Sequence, residues 1–453
     1  MVERSPLGDH PELQSHYSFP VFRTLGERPK SRLEKTLSVF SDVRAGEGVN
    51  ALLLALNVFL LLAAYYLLKP VREALILSES GAEVKSYSAA GQALLLLGIV
   101  PFYGWVASRV NRIRLLAGLT LFFVFNLVLF WIGGQKGLRL GVVFYIWLGI
   151  YNLFTVSQFW AFANDIYTEA QGRRLFPLVG VGMSLGALAG ATVATPLVTL
   201  AGLRPYTFML IAAAVLMVCL GLTWVVDART KRSASPEAAK EAGRPLGKEG
   251  GFRLILRDRY LFWIAVLIVL LNVVNTIGEY TLSKLVVAEA SASGDAVHFI
   301  NEFYAQFYMA TNLLGLLLQA LAASRVIRYA GVRGALFVLP VLALASYSVL
   351  ALVPVLMVVR WTKVLENGTD YSIMNTVRQA LWLPTTREAK YKAKAAIDTF
   401  CHRGGDVLQA GIVFAGTSLG AGIAGFAWLN VALTVVWLGA AYRIFVEHRK
   451  LAA

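Results

Sequence analysis

The chain has 453 residues, 57% of them hydrophobic and 15% charged, with a mean hydropathy of +0.62 and a formal net charge of +15. Charge this sparse and apolar content this high exclude a water-soluble domain of this length. Period-2 alternation, the mark of a membrane barrel, is absent. Cys219 and Cys401 lie in or beside apolar stretches and offer neither a disulfide framework nor a metal site.

Residues 1–49 form a basic, polar, cytoplasmic tail with no early apolar core. No cleavable signal peptide is expected, and the first span serves as the insertion signal. Apolar windows of about 20 residues, enough to cross a bilayer as a helix, then recur along the chain. Spans are expected near 50–77, 87–107, 115–133, 140–166, 175–200, 205–226, 260–287, 300–323, 334–354, 356–382, 400–418 and 421–445. The stretch "RTKRSASPEAAKEAGRPLGKEGG" lies in a polar cytoplasmic linker, 228–258, expected to be mobile or loosely helical. It separates an N-terminal bundle, 50–227, from a C-terminal bundle, 259–446. A cytoplasmic tail, 447–453, follows.

Lys and Arg are distributed unevenly between the two sides. Of 42, the tails and the loops on the side of the termini, with Arg403 and Arg443 at the adjoining span ends, hold 32, the opposite loops hold 4 (Lys85, Lys136, Arg139 and Arg204), and the spans hold the other 6. Both termini are therefore expected in the cytoplasm. The basic charge is a topology signal, and no nucleic-acid partner is expected. "VASRVNRI" (106–113) recurs as "AASRVIRY" (322–329), and "TEAQGRR" (168–174) as "REAKYKAK" (387–394). Both offsets lie close to 217 residues, about half the chain. This pattern indicates a parallel duplication: an all-α membrane protein of twelve transmembrane helices in two six-helix pseudo-symmetric bundles, the major facilitator architecture. The loop "GWVASRVNRIR" is similar to that superfamily's cytoplasmic motif without its usual Asp. Arg109 and Arg325 in the repeated loops are gate candidates.

Ionisable groups inside spans are costly and face a cavity or a partner. "YYLLKPVREALIL" (65–77) holds Lys69, Arg72 and Glu73, and the i,i+4 spacing allows Lys69 to pair with Glu73. In the seventh span, Asn272, Asn275 and Glu279 follow one another at helical spacing, with Lys284 beyond. In the tenth, Arg360, Lys363, Asn367, Asp370, Asn375 and Arg378 fall on one face, which should line an aqueous cleft, and Glu366 adds a further acid. Glu73, Lys284 and Glu366 are proton or ion-pair candidates. Asp165, Arg403 and Asp406, near cytoplasmic ends, read as a gate or structural pairs. In-span cations exceed the acids on the same helices by two, so the cleft should favour an anion. "GVGMSLGALAGA" (180–191) lacks the ending of a phosphate loop and reads as a close helix–helix contact.

"FWAFANDIYTEAQGRRLFPLVGVGMSLGALAG" (159–190), "DYSIMNTVRQALWLPTTREAKYKAKAAIDTFCHRGGD" (370–406), "NTIGEYTLSKLV" (275–286) and the first-span stretch resemble the ATP/ADP translocase family. Its members occur in obligate intracellular bacteria and plastids. The resemblance implies substrate contact by a basic residue in the first span, a Glu in the fourth, a Glu in the seventh and a basic residue in the tenth. Those positions fall on Arg72, near Leu148, Glu279 and Arg378. The family usually has Lys in the two basic places, and Arg keeps the charge while adding a planar fork. No acid stands in the fourth-span region "YIWLGIYNLF".

The expected function is secondary transport of a nucleotide or related organic phosphate by alternating access in a bacterial inner membrane, by a monomer in contact with membrane lipid. Substrate contacts are expected from Lys69, Arg72, Glu279, Lys363, Asp370 and Arg378. No catalytic residue, cofactor or metal is expected. The rival readings are proton-coupled transport of another solute, with Glu279 or Glu73 carrying the proton, and a non-transporting scaffold.

Overall fold

The structure, a computed structural model, describes residues 30–38, 43–107, 110, 112–167, 169–199, 204–231, 251–382, 384–385, 389 and 393–452. Arg109 and residues 232–250 of the linker lie outside them. In chain order the helices are α1 (Arg32–Leu37), α2 (Gly48–Ala107), α3 (Arg112–Gln135), α4 (Gly141–Ile166), α5 (Glu169–Thr199) and α6 (Thr207–Lys231). After the linker come α7 (Gly251–Arg257), α8 (Arg259–Ala290), α9 (Ala296–Leu318), α10 (Ser324–Ala335), α11 (Val338–Leu352) and α12 (Leu356–Thr369). The last four are α13 (Asn375–Ala380), α14 (Lys394–Ala396), α15 (His402–Ser418) and α16 (Ile423–Ala452). Short π-helical segments, Gln319–Ala323, Asp370–Met374 and Ile397–Cys401, join α9 to α10, α12 to α13 and α14 to α15.

Helices are the form in which a chain this apolar closes its backbone hydrogen bonds without water. Among the described residues, eight are long and apolar enough to cross a membrane. The bent pair Arg325–Ala335 and Val338–Leu352, at 79° to each other, would make a ninth. The difference from twelve has physical sources. The first two expected spans run together in α2, broken only at Gly81, where a φ of 81° is open to glycine at no steric cost. The tenth expected span is split by the π segment at Asp370 and carries the charges of the site. The eleventh corresponds to α15, which has 17 residues.

The buried side chains gather in two large bodies. One is drawn mainly from residues 255–444 and the other from residues 64–216. Where α5 crosses α2 there is no side-chain layer. A Cβ on Gly182, Gly186 or Gly190 would lie 2.5 Å, 2.2 Å or 2.4 Å from the carbonyl oxygens of Ala55, Phe59 and Ala63. Both series step by four residues, so the glycine-dense stretch is a close backbone contact of the kind small residues permit.

The N-terminal region is more than a tail. Ser31 caps α1 in a capping box with Glu34. Glu34 also accepts from the backbone N–H of Gly46 at 2.7 Å. These backbone donors hold its carboxyl below the usual carboxylate range. Leu37 and Val43 pack with Leu175 and Leu178 of α5, and Arg174 of α5 pairs with Glu47 at 2.8 Å.

Two outcomes follow. Gly186→Leu should cost about 1–3 kcal/mol through overpacking and lower the melting temperature of detergent-purified protein. Gly180→Leu on the same helix, with nothing within 4 Å of its added Cβ, should not.

Candidate substrate site

A cavity of about 430 Å³ lies between the two bodies. Its wall includes Lys69, Arg72 and Glu73 from the first half of α2, Lys85 and Gln92 from the second half, and Tyr145 and Asn152 from α4. The other body supplies Asn272, Asn275 and Glu279 from α8, Tyr308 from α9, Asn367 of α12, Asp370, and Arg378 of α13. His402, Arg403 and Asp406 come from α15. Arg72 and Arg378, contributed by opposite halves, therefore face one space.

The charges on this wall are mostly compensated. Glu73, fully buried, is the hub. Arg72 donates to its Oε1 through Nε at 3.0 Å and also through Nη2. Lys85 pairs with its Oε2 at 2.7 Å, and the Tyr308 hydroxyl donates to Oε1 at 3.3 Å. The expected pairing of Lys69 with Glu73 is not formed, because Arg72 and Lys85 occupy that carboxylate. Lys69 is 9% exposed, and its Nζ sits instead over the rings of Tyr308, Tyr66 and Tyr65, at 4.1, 4.9 and 5.8 Å. Among the described residues it has no carboxylate or hydrogen-bond partner, only aromatic faces. Arg378 lies 3.5 Å from Asp370, and Arg403 lies 3.2 Å from Asp406. Asn272 anchors Asp406 at 2.9 Å and the His402 carbonyl at 2.7 Å. Five cations thus face four carboxylates on this wall.

The polar face expected along the tenth span divides. Asn367, Asp370 and Arg378 line the cavity, and Asn367 donates to Glu279 at 2.9 Å. Lys363 does not reach it. It is 1% exposed and is held behind the wall by Glu366 at 3.0 Å, the Asn275 carbonyl at 3.1 Å and Glu279 at 3.8 Å. Tyr347 donates to Glu366 at 2.7 Å. Lys363 and Glu366 are therefore a buried pair bracing α8 against α12. Arg360 turns toward α9, where it donates to Gln306 at 3.0 Å. The regular 3.6-residue period assumed from sequence fails at Asp370–Met374, where a π-helical turn shifts every later side chain.

At the end opposite the linker, polar contacts tie the two halves together. Lys284 pairs with Glu83, and the Tyr280 hydroxyl donates to the same carboxylate at 3.1 Å. Lys85 donates to Ser283 at 2.7 Å, and Gln409 to Ser86 at 3.1 Å. Lys85 was expected in an external loop. It is buried instead, because the helix resumes directly after Gly81. Of the gate candidates, Arg403 and Asp406 form a pair within α15 on the cavity wall. Arg325 bonds the Leu321 carbonyl of its own segment. The Asp165 side chain, like Arg109, lies outside what the structure describes. In the fourth span, Leu148 is buried among Phe123, Trp147 and Tyr151, and the cavity-facing positions are Tyr145, Gly149 and Asn152. Arg72 lies 4.6 Å from the Tyr145 ring.

The tyrosine cage escaped the sequence reading, although Tyr65 and Tyr66 stand four and three residues before Lys69, the helical spacing that brings side chains together. Lys363→Met should leave Glu366 uncompensated and cost about 3–5 kcal/mol. Thermal unfolding should show this, and adding Glu366→Gln should return much of the loss.

The comparisons agree with this architecture. The family model described as TLC ATP/ADP transporter matches residues 141–448, more than half of the chain. ADP,ATP carrier protein 2 of Chlamydia pneumoniae is 23% identical over 94% of this chain and 93% of its own length. ADP,ATP carrier protein 1 of the same organism is 22% identical over 66% of each. Among solved structures, the nucleoside transporter NupG superposes with a TM-score of 0.60 at 15% identity, covering 88% of this chain and 98% of that one. At that identity the likeness concerns the fold alone. The family match extends from α4 to α16 and so takes in the whole C-terminal wall of the cavity: this chain belongs to the TLC ATP/ADP transporter family.

Proposed function

We propose that the chain is a secondary transporter that carries a nucleotide, ATP or ADP in the first instance, across the bacterial inner membrane by alternating access. Support comes from family membership, from relatives named as ADP,ATP carriers, and from one geometric observation. A polar cavity between two helical bodies is lined by cations from both, one of them without a carboxylate partner among the described residues.

In this reading Lys69, Arg72 and Arg378 hold the phosphates. A guanidinium grips phosphate oxygens in bidentate fashion. Lys69 gives up only aromatic contacts to do so, whereas Arg72 and Arg378 must loosen their hold on Glu73 and Asp370. Glu279, hydrogen-bonded to Asn367 on the wall, contacts the rest of the nucleotide or an accompanying cation. The missing fourth-span acid is answered by Tyr145 and Asn152. The finer topology belongs to the same proposal: twelve spans as two six-helix halves, α2 counting twice and α12–α13 and α15 each once, with both termini cytoplasmic. The inter-half contacts around Glu83 and Lys85 then close the outer end. Glu73 links that closure to the site, because it pairs with Arg72 below and Lys85 above. The protein is taken to act as a monomer.

Proteoliposomes loaded with unlabelled ADP should take up labelled ATP. Lys69→Gln, Arg72→Ala and Arg378→Ala should each lower uptake by about tenfold or more, the loss expected for one charge-assisted contact. Arg72→Lys should retain a larger share. Absence of uptake of any nucleotide by correctly inserted protein would refute the substrate class.

A further inference from the structure

A second pocket of about 220 Å³ adjoins the substrate cavity at its linker-side end. The two share Arg378 and His402, which stand at their junction. The walls of the second pocket differ in kind from those of the first. One side is apolar: Ile264 and Ile268 of α8, with Trp382 just past α13. The other carries two carboxamides, Asn375 and Gln379, four residues apart on the face of α13 that also bears Arg378, and the lining also includes the carboxylate of Asp398. Both amide side chains are exposed. Lys394 donates to Gln379 Oε1 at 2.5 Å, which fixes that amide and leaves its NH₂ without a partner among the described residues. The Asn375 amide has no partner among them either.

An apolar slot with an amide edge, placed one guanidinium away from a cationic cavity, suits a flat heterocycle joined to a phosphate chain. Carboxamides pair in bidentate fashion with an edge that offers one donor and one acceptor, as adenine does at N6 and N7. Cavities of about 430 and 220 Å³ together fall within the range of small-molecule sites, about 300–1,000 Å³. We infer that this pocket is the nucleobase subsite. Asn375 and Gln379 read the base edge, the isoleucines and Trp382 cover its faces, and Arg378 marks the passage from base to phosphates. This inference rests on the transport reading above and adds to it the residues that set base preference.

The test uses purified full-length protein and two probes, adenosine for the base subsite and inorganic pyrophosphate for the cationic cavity. The variant Asn375→Ala/Gln379→Ala should lose most of the thermal stabilisation given by adenosine and keep that given by pyrophosphate. In proteoliposomes the same variant should raise the half-saturating ATP concentration about tenfold and narrow the preference between ATP and GTP. Unchanged adenosine stabilisation and unchanged base preference would overturn the assignment. So would an equal loss of both probes, which would mark a general collapse of the site. Failure of the transport reading registers separately, as absence of ATP uptake and of pyrophosphate stabilisation in the unmodified protein.

Discussion

A charge placed among membrane helices must be compensated, and that requirement organises this molecule. Moving an ion out of water costs several kcal/mol even after relaxation, so each buried cation needs a carboxylate, a dipole or an aromatic face. Glu73 meets the demand of two cations at once, Arg72 on its own turn and Lys85 beyond the break at Gly81. The two limbs of α2 are thereby clamped to one carboxylate. Because Lys85 also reaches Ser283 and Tyr308 reaches Glu73, the clamp extends to the other half. Lys363, Glu366 and Tyr347 form a second closed set behind the wall. The cavity is thus polar on its face and braced from behind.

Among the described cations of the cavity wall, Lys69 is the one without a carboxylate partner. Cation–π contact holds it at three tyrosine rings, two from α2 and one from α9, so the cage itself spans the two halves. Such contacts stabilise an ammonium by about 0.5–2 kcal/mol each without supplying a negative charge. The proposed anionic cargo supplies the negative charge that the aromatic cage does not.

Much of this was legible from residue order. Helical character follows from the apolar windows, and the unusual charges at 69–73, 279 and 370–378 stand out against them. Arg72, Glu279, Asp370 and Arg378 all face the one cavity. The glycine stretch read as packing does pack, backbone on backbone. What could not be read depended on breaks in regularity. Hydropathy cannot register that α2 continues past Gly81, so Lys85 looked like a loop residue. Periodicity cannot weigh competing partners either, so Lys363 and Arg360, held instead by Glu366 and by Gln306, were placed on the same face as Asp370. Spacing alone allowed Lys69 to pair with Glu73, but three-dimensional competition gave that carboxylate to Arg72 and Lys85.

The three π-helical segments all fall after residue 318 among the described residues. A π turn carries one residue more than the α ladder, and such turns are frequent at functional sites. Asp370 opens one of these segments and His402 follows another, so both stand on the cavity wall at a break in α-helical register. The contact of α2 with α5, by contrast, is backbone on backbone at Gly182, Gly186 and Gly190. A change of register at either break would move cavity-wall side chains without disturbing that contact.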